Sequence, residues 1–335
     1  MSTANVHPFD LLSPEMILEA VESRGLITDG RLLALNSYEN RVYQVGIEDG
    51  TPLIAKFYRP ERWSNEQILE EHQFVSELVD AELPVIAPLA DEHSADPNNA
   101  TLSEYQNFRF SLFPRKGGHA PELDNYDHIL VLGRFLARMH NVGGVKPFAV
   151  RPTLDSKSFG HDAVAYITEH FVPDDLRLAY TSLTKDLLQA IDEKIAAVED
   201  VQLLRVHGDC HVGNVLWRDD NPHFIDLDDA RMAPAVQDIW MLLSGDREAQ
   251  TRQLAEIIDG YQEFRDFQPR ELHLIEPLRT LRMLHFSAWI GRRWQDPAFP
   301  KAFPWFNSPR YWGDEILNLR NQMAELNEPV LRLQP

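Results

Sequence analysis

The sequence predicts an α+β fold in two lobes: a small N-terminal lobe built on antiparallel sheet, and a larger, mainly helical C-terminal lobe. In the first third of the chain the apolar pattern alternates, as in Leu53, Ala55 and Phe57 and again in Phe108, Phe110 and Leu112, the period of a half-buried strand. Further on it recurs every three or four residues, as in Ile129, Leu132, Phe135, Leu136 and Met139, the period of an amphipathic helix. The change falls at Phe113-Pro114-Arg115-Lys116-Gly117-Gly118, where proline and two glycines end a strand. The boundary drawn there divides residues 1–113 from 114–335, and a length of 335 residues suits two units.

Taken in order, Ser13-Pro14 followed by Met16, Ile17, Ala20 and Val21 reads as a capped helix, with Ser13 at the N-cap and Gly25 past the end. Residues 32–45 read as a hairpin whose turn runs through Asn36, Ser37, Glu39 and Asn40. Small, turn-tolerant residues there let backbone N–H groups approach an anion, and Ser37 adds a hydroxyl, although the glycines of a G-x-G-x-x-G loop are absent. In the following strand Leu53, Ala55 and Phe57 share one face and Lys56 takes the other. Ile68, Leu69, Val75, Leu78 and Val79 then mark a helix over 66–79, with Glu70 and Glu71 in its first turns.

Residues 83–88 read as extended, and 90–100 as a polar loop tolerant of insertion. The helix over 129–139 ends at His140, read as a core or C-cap histidine rather than a ligand. Residues 143–157 read as loop and 163–201 as helix with polar faces. Val236, Ile239, Trp240 and Leu243 mark a buried helix with Asp238 at its start. A long helix over 274–294 and an aromatic, proline-rich segment over 299–305 finish the pattern; Trp289, Trp294 and Trp305 are candidates to line a substrate site, though aromatics at helical spacing are more often core.

Composition narrows the function classes. With 44% apolar and 25% charged residues the chain can bury a large core. A formal charge of −20 argues against nucleic acid or an anionic membrane as partner, since both require clustered Lys and Arg. The single cysteine, Cys210, excludes an intramolecular disulfide and fits a reducing compartment, so the cytoplasm is expected. The first residues, with Pro8, Asp10 and Glu15, lack the basic start and apolar run of a signal peptide, and no uncharged stretch approaches the ~20 residues of a membrane span. A monomer is expected.

The densest set of chemically committed residues is VHGDCHVGNVLWRDDNPHFIDLDDAR, residues 206–231. Asp209 is followed five residues later by Asn214, and Asp226 lies twelve further on, after the apolar pair Phe224-Ile225. A carboxylate to orient a hydroxyl and accept its proton, with an amide oxygen and a second carboxylate to hold Mg²⁺, is the donor set that phosphoryl transfer requires. His207, Cys210 and His211 are also metal-ligand types. Structural zinc takes four such ligands, usually as two spaced pairs, and no second pair follows.

His207-Gly208-Asp209, Asn214 and Ile225-Asp226-Leu227 follow the kinase order H-R-D-x-x-x-x-N then D-F-G, with His-Gly-Asp replacing His-Arg-Asp. In that replacement the chain resembles the aminoglycoside phosphotransferase and choline kinase group of protein-kinase-like enzymes. NSYENRVYQV at 36–45, KFYRPERW at 56–63, ILEEHQF and PAVQDIWMLL at 234–243 carry the resemblance over nearly the full length, toward the bacterial stress response kinases of that group.

The resemblance implies a two-lobed protein-kinase-like fold, ATP as co-substrate and Mg²⁺ as cofactor. It implies Asp209 and Asp226 as catalytic residues, Asn214 and Asp226 as metal ligands, and Ser37, Lys56 and Glu71 as nucleotide-binding residues. Lys56 takes the strand-lysine role and Glu71 that of its helical partner. Glu70 remains the alternative, because a one-residue slip turns a helix by only ~100°. The hinge against adenine falls at 113–118, His207 braces the catalytic loop, and Asp238 hydrogen-bonds that loop's backbone. Asp228 and Asp229 rank second, for a second ion or for Arg231.

The activity implied is transfer to Ser and Thr hydroxyls of proteins in a stress response. A small-molecule kinase for choline, an aminoglycoside or a sugar shares the same core and is the alternative. A non-catalytic nucleotide-binding regulator is disfavoured because no member of the catalytic set is missing. Only eleven residues separate Asp226 from Asp238, too few for a long activation segment. An open, acidic site that receives flexible, basic segments is therefore expected.

Overall fold

A computed structural model describes residues 7–92, 94, 96 and 99–333. Residues 1–6 of the N-terminal segment and part of the polar loop expected at 90–100 lie outside the described residues. In chain order come helix α1 (Pro14–Glu22), strands β1 (Thr28–Ala34), β2 (Arg41–Ile47) and β3 (Leu53–Phe57), helix α2 (Asn65–Asp80), and strands β4 (Ser103–Tyr105) and β5 (Phe108–Pro114). Helices α3 (Tyr126–Gly143), α4 (Asp162–His170) and α5 (Asp174–Ala196) follow, then strands β6 (Leu204–Val206), β7 (Val215–Arg218), β8 (Asn221–Phe224) and β9 (Arg231–Ala233). The last elements are α6 (Val236–Trp240), α7 (Arg247–Gln262), α8 (Ile275–Arg292), α9 (Ala298–Ala302) and α10 (Pro309–Asn327). This is the α+β architecture anticipated above, with sheet first and helices after.

The elements gather into two compact units: Met1–Pro121 with Phe148–Arg151 and His211–Ala230, and Glu122–Pro147 with Pro152–Cys210 and Arg231–Pro335. In the first unit five antiparallel strands run in the order β1-β2-β3-β5-β4. The alternation decides which face is buried. Ala55 and Phe57 of β3 pack with Phe110 and Leu112 of β5, Val45 of β2, and Ile17, Ala20 and Val21 of α1, each large side chain contributing about 1.5–3 kcal/mol. Lys56 takes the opposite face, opposed by Val42 on β2 and Ser111 on β5.

Local chemistry sets the ends of these elements. Ser13 caps α1 through a 3.2 Å bond from the Met16 N–H, and Gly25 turns left-handed just past it at φ 75°. Ser64 and Gln67 form a capping box on α2. β7 and β8 make a hairpin whose turn holds Asp219 and Asp220 at φ 52° and 58°, a left-handed pair matched to strand twist. The extended stretch at 83–88 runs beside it, with Val85 bridging Phe224 and the Ile86 N–H donating to the Phe224 carbonyl at 3.2 Å.

The second unit is helical. Its tightest seam joins α3 and α7, because glycine stands on both sides: a Cβ at Gly133 would lie 2.1 Å from the Ile257 carbonyl oxygen, and one at Gly260 2.0 Å from that of Leu130. The helix read as continuous over 163–201 is two helices, α4 ending at His170 and α5 starting at Asp174. Pro173 disfavours helical backbone at Val172 and has no N–H to donate, so the break is local chemistry. Of the three tryptophans, Trp289 stacks on Phe286 and packs against Phe299 and Phe303, and Trp294 packs on Phe171 and Phe306, while Trp305 is exposed.

The glycine seam gives a direct test. Gly260→Ala is expected to lower unfolding free energy by about 3 kcal/mol, the upper end of overpacking costs. Gly313→Ala, in α10 where a Cβ meets nothing within 4 Å, should raise it by about 0.5–1 kcal/mol. Chemical denaturation of both variants beside the parent checks the pair, and equal stability of the two would contradict the seam.

Candidate active site

In the first unit the chemistry gathers where β8 ends. Asp226 follows that strand in a left-handed conformation, φ 57° and ψ 61°, which few non-glycine residues adopt. Its Oδ1 lies 2.8 Å from Lys56 Nζ. The Lys56 side chain is 8% exposed and that of Asp226 50%, so the pair has a sealed end and an open one. Lys56 also lies 3.3 Å from Asp228 Oδ1. Burial works against the ammonium, but Asp226 and Asp228, with Tyr58 and Glu71, outweigh it and push Lys56 well above its ordinary range.

The two glutamates of α2 do different things. Glu71 is buried; burial pushes its carboxyl up to about 7, against the pull of Lys56 and Arg151. It acts on Lys56 through its field, because the ion pairs of Lys56 among the described residues are with Asp226 and Asp228. Glu70 accepts the backbone N–H groups of Val150 and Arg151 at 3.0 and 2.8 Å and anchors that segment. The one-residue slip therefore separates an electrostatic role from a tethering one.

Asp228, ranked second from the sequence, is the hub of the first unit. It meets Arg62 and Asn40 through Oδ2 and Lys56 through Oδ1. Arg62 also reaches Asp229 at 2.8 Å and Glu39 at 3.6 Å, so Arg62 joins Asp228 to Asp229. Burial opposes ionisation of Asp228, yet Lys56 and Arg62 hold its carboxyl down to about 2. The Arg151 guanidinium donates to the carbonyls of Asp228 and Ala230, fixing the turn after Asp226.

Ser37 lies in the loop between β1 and β2, where its hydroxyl donates to the Asn40 carbonyl at 3.2 Å. Asn40 accepts the Arg59 N–H at 3.0 Å and donates to Asp228, so this loop is tied to the same hub. Asn214 ends a short 3-10 turn, Val212–Asn214, and its carbonyl accepts the Ile225 N–H at 3.0 Å. That bond sets Asn214 against the backbone just before Asp226. The strand break at Phe113 to Gly118 leads into His119, which pairs with Trp217 of β7. A Cβ at Gly118 would lie 2.9 Å from that of Leu216.

In the second unit Asp209 follows β6 through a turn held from beneath. Asp238 of α6 accepts the His207 and Gly208 N–H groups at 2.8 and 2.9 Å, and Gly208 stands at φ 84°, where a side chain would be strained. Gln237 donates to the Gly208 carbonyl at 3.1 Å, and the Asp209 N–H donates to His207 Nδ1 at 3.4 Å. His140 is the core histidine anticipated, bonded to Asp238 at 3.1 Å and to the Tyr261 hydroxyl at 2.9 Å. Burial raises the Asp238 carboxyl, but the His140 hydrogen bond and charge, then His207 and the Gly208 N–H, hold it below the usual range. Burial pushes the Cys210 thiol up, which leaves it a poor nucleophile.

Four residues here make contacts that the sequence did not signal: Asn40 and Arg151 as partners of the Asp228 turn, Arg62, and Arg282, whose Nη1 lies 2.6 Å from Asp209 Oδ1. Arg62 was visible only as part of the KFYRPERW segment. A charge whose partner is 166 residues away leaves no local pattern.

The raised carboxyl of Glu71 makes stability depend on pH. Between the ordinary carboxylate range and about 7 the folded state keeps a proton that the unfolded chain releases, so stability falls as pH rises through that window. Glu71→Gln should remove the Glu71 share of the dependence, leaving the variant near the parent at about pH 5 and more stable by roughly 2–3 kcal/mol at about pH 8, at 1.4 kcal/mol per unit. Denaturation midpoints at the two pH values measure it; a difference independent of pH would mean that Glu71 is not the titrating group.

A family model described as the phosphotransferase enzyme family matches residues 31–274. Stress response kinase A of Escherichia coli (strain K12) is 47% identical over 332 residues, covering 98% of this chain and 97% of that protein. Serine/threonine protein kinase RdoA of Salmonella typhimurium (strain LT2) is 45% identical over 332 residues, covering 99% and 98%. Among solved structures the fold is similar to that of amicoumacin kinase hAmiN in complex with AMP-PNP, Ca²⁺ and Ami, with a TM-score of 0.72 at 18% identity over 96% of this chain and 95% of that one. The chemistry that the residues suggested and the full-length likeness to kinases meet in one assignment: the chain belongs to the phosphotransferase enzyme family.

Proposed function

We propose that this enzyme is an ATP- and Mg²⁺-dependent protein kinase that transfers the γ-phosphate to Ser and Thr hydroxyls, in a bacterial stress response and in the cytoplasm. The observation that carries the chemistry is the 2.8 Å pair of Lys56 with Asp226, a permanently charged ammonium beside a carboxylate that is half open to solvent. The protein acceptor is supported by relatives named as protein or stress response kinases at 45–47% identity over nearly the whole chain. Residues 1–113 serve in this reading to cover the nucleotide, and 114–335 to supply the base and meet the acceptor.

The donor chemistry fits Mg²⁺. Asp228 is held by Arg62, Asn40 and Lys56, and the hard donors assigned to the ion are the half-open carboxylate of Asp226 and the amide oxygen of Asn214. Among the described residues no group of three His, Cys, Asp or Glu could hold a metal. Two protein oxygens suit an ion that takes one or two carboxylates and completes its shell with phosphates and water. Asn214 and Asp226 would hold it, and when bound it neutralises charge on the phosphates.

The other roles follow from each side chain's surroundings. Lys56 stays protonated in the field of Asp226, Asp228 and Glu71, so its ammonium can donate to phosphate oxygens. The Ser37 loop offers its hydroxyl and backbone N–H groups to the same charge. Asp209 orients the acceptor hydroxyl and takes its proton late in a loose transition state. Asp238 holds the turn that presents Asp209. Rate comes from positioning and charge neutralisation, with no covalent intermediate.

Labelled ATP, offered with a mixed protein panel and beside it a panel of small alcohols, tests the reading. Acid-stable label on Ser or Thr of protein is expected, lost on removal of Mg²⁺ and in Asp226→Ala. Asp209→Asn should keep nucleotide binding while transfer falls by about 10²–10⁴, the usual worth of general acid–base help. Label confined to a small metabolite, with none on any protein including the enzyme itself, would replace this reading with the small-molecule kinase.

A further inference from the structure

Arg282 stands beside the carboxylate proposed as the base, and the role inferred for it rests on that reading of Asp209. It lies on α8, with its guanidinium 2.6 Å from Asp209 Oδ1; its side chain is 42% exposed and that of Asp209 22%. Asp209 Oδ1 itself is sealed, so the pair is open at the guanidinium and at the other edge of the carboxylate, and an acceptor that reaches that edge also meets the guanidinium. Folding does not demand this arginine. The buried face of α8 is carried by Leu278, Leu281, Leu284 and Ala288, and an open ion pair contributes only ~0–1 kcal/mol.

Apart from Asp209, nothing on α8 itself opposes this charge. Glu276 is the one carboxylate of the helix, and it is paired with Arg279 at 3.2 Å. One turn beyond Arg282, Phe286 is exposed and stacks on Trp289 at 5.7 Å, and Arg293 sits over that tryptophan at 5.4 Å. The helix face that starts at the base is therefore cationic and aromatic, although the whole chain carries −20. Local charge, and not the net value, is what a group within a few ångströms of the hydroxyl encounters.

We propose that Arg282 sets the charge of the acceptor: it favours a hydroxyl flanked by a carboxylate and rejects one flanked by a cation. A lysine or ammonium beside the reacting hydroxyl would approach a like charge, or would have to displace the guanidinium from Asp209. A flanking carboxylate meets a fork of five N–H donors, enough to serve Asp209 and a second anion together. The basic acceptor segments expected from the short stretch between Asp226 and Asp238 are on this reading the poor ones, and acidic segments the good ones.

The test uses the full-length enzyme and matched serine peptides that differ only in their flanking residues, Glu, Gln or Lys. The parent should favour Glu over Lys flanks by about tenfold in kcat/KM, the equivalent of roughly 1.4 kcal/mol. Arg282→Gln should bring that ratio toward one and Arg282→Lys should restore most of it, with the KM for ATP and the melting temperature unchanged in both. A ratio identical in parent and Arg282→Gln, or a parent that prefers Lys flanks, overturns the proposal. If no peptide is labelled, glycerate, glycerol and ethanolamine pose the same question on small alcohols. Glycerate favoured by the parent, with the preference erased in Arg282→Gln, upholds Arg282 while discarding the protein acceptor; ethanolamine used equally by both enzymes discards the role of Arg282.

Discussion

Asp238 carries a charge with no access to water, and the helical unit is arranged so that this charge is answered. An isolated buried carboxylate would cost several kcal/mol, and removing one partner from such a group costs about 3–5. The partners come from separate elements: two backbone N–H groups after β6, and His140 at the end of α3, itself held by Tyr261 of α7. His140 and Tyr261 meet because Gly133 and Gly260 let α3 and α7 touch backbone to backbone. A glycine seam, a histidine and a tyrosine therefore all serve to keep one turn of backbone in place.

The sheet unit reaches the same end by different means. Asp228 is met by Lys56 from β3, by Arg62 from the segment after it and by Asn40 from the β1–β2 loop. These are side chains and not backbone donors, so the first unit holds its key carboxylate with two cations and a side-chain amide, and the second with two backbone amides and a histidine. Lys56 is shared between the buried Asp228 and the open Asp226. One ammonium thus has a structural partner and a solvent-facing one, an arrangement suited to a cation that must meet an incoming phosphate without leaving the fold uncompensated.

Much of this was legible in the sequence because burial leaves a period. The alternation around Ala55 and Phe57, the cap at Ser13 and the stripe leading to His140 are local rules, and each appears where its pattern lies. The division of α4 from α5 was also local, at Pro173, and was obscured by the apolar residues on both sides of it. Charge partnership is different in kind. Arg62 and Asp228, like Arg282 and Asp209, lie far apart in the chain, and nothing in the spacing of either residue encodes the other. The separate duties of Glu70 and Glu71 depend on helix rotation to within one residue, finer than a periodic pattern resolves.

Cys210 lies next to the proposed base and is the only thiol in the chain. It is sealed from solvent, with its proton held by burial, so it carries little of the thiolate that peroxides and alkylating agents attack. The sulfur sits one residue from Asp209 and is nonetheless shielded from reagents that stay in solvent. The same seal makes Cys210 a clock: a thiol reagent can reach it only when its surroundings open, so the labelling rate of the native enzyme reports how often they come apart.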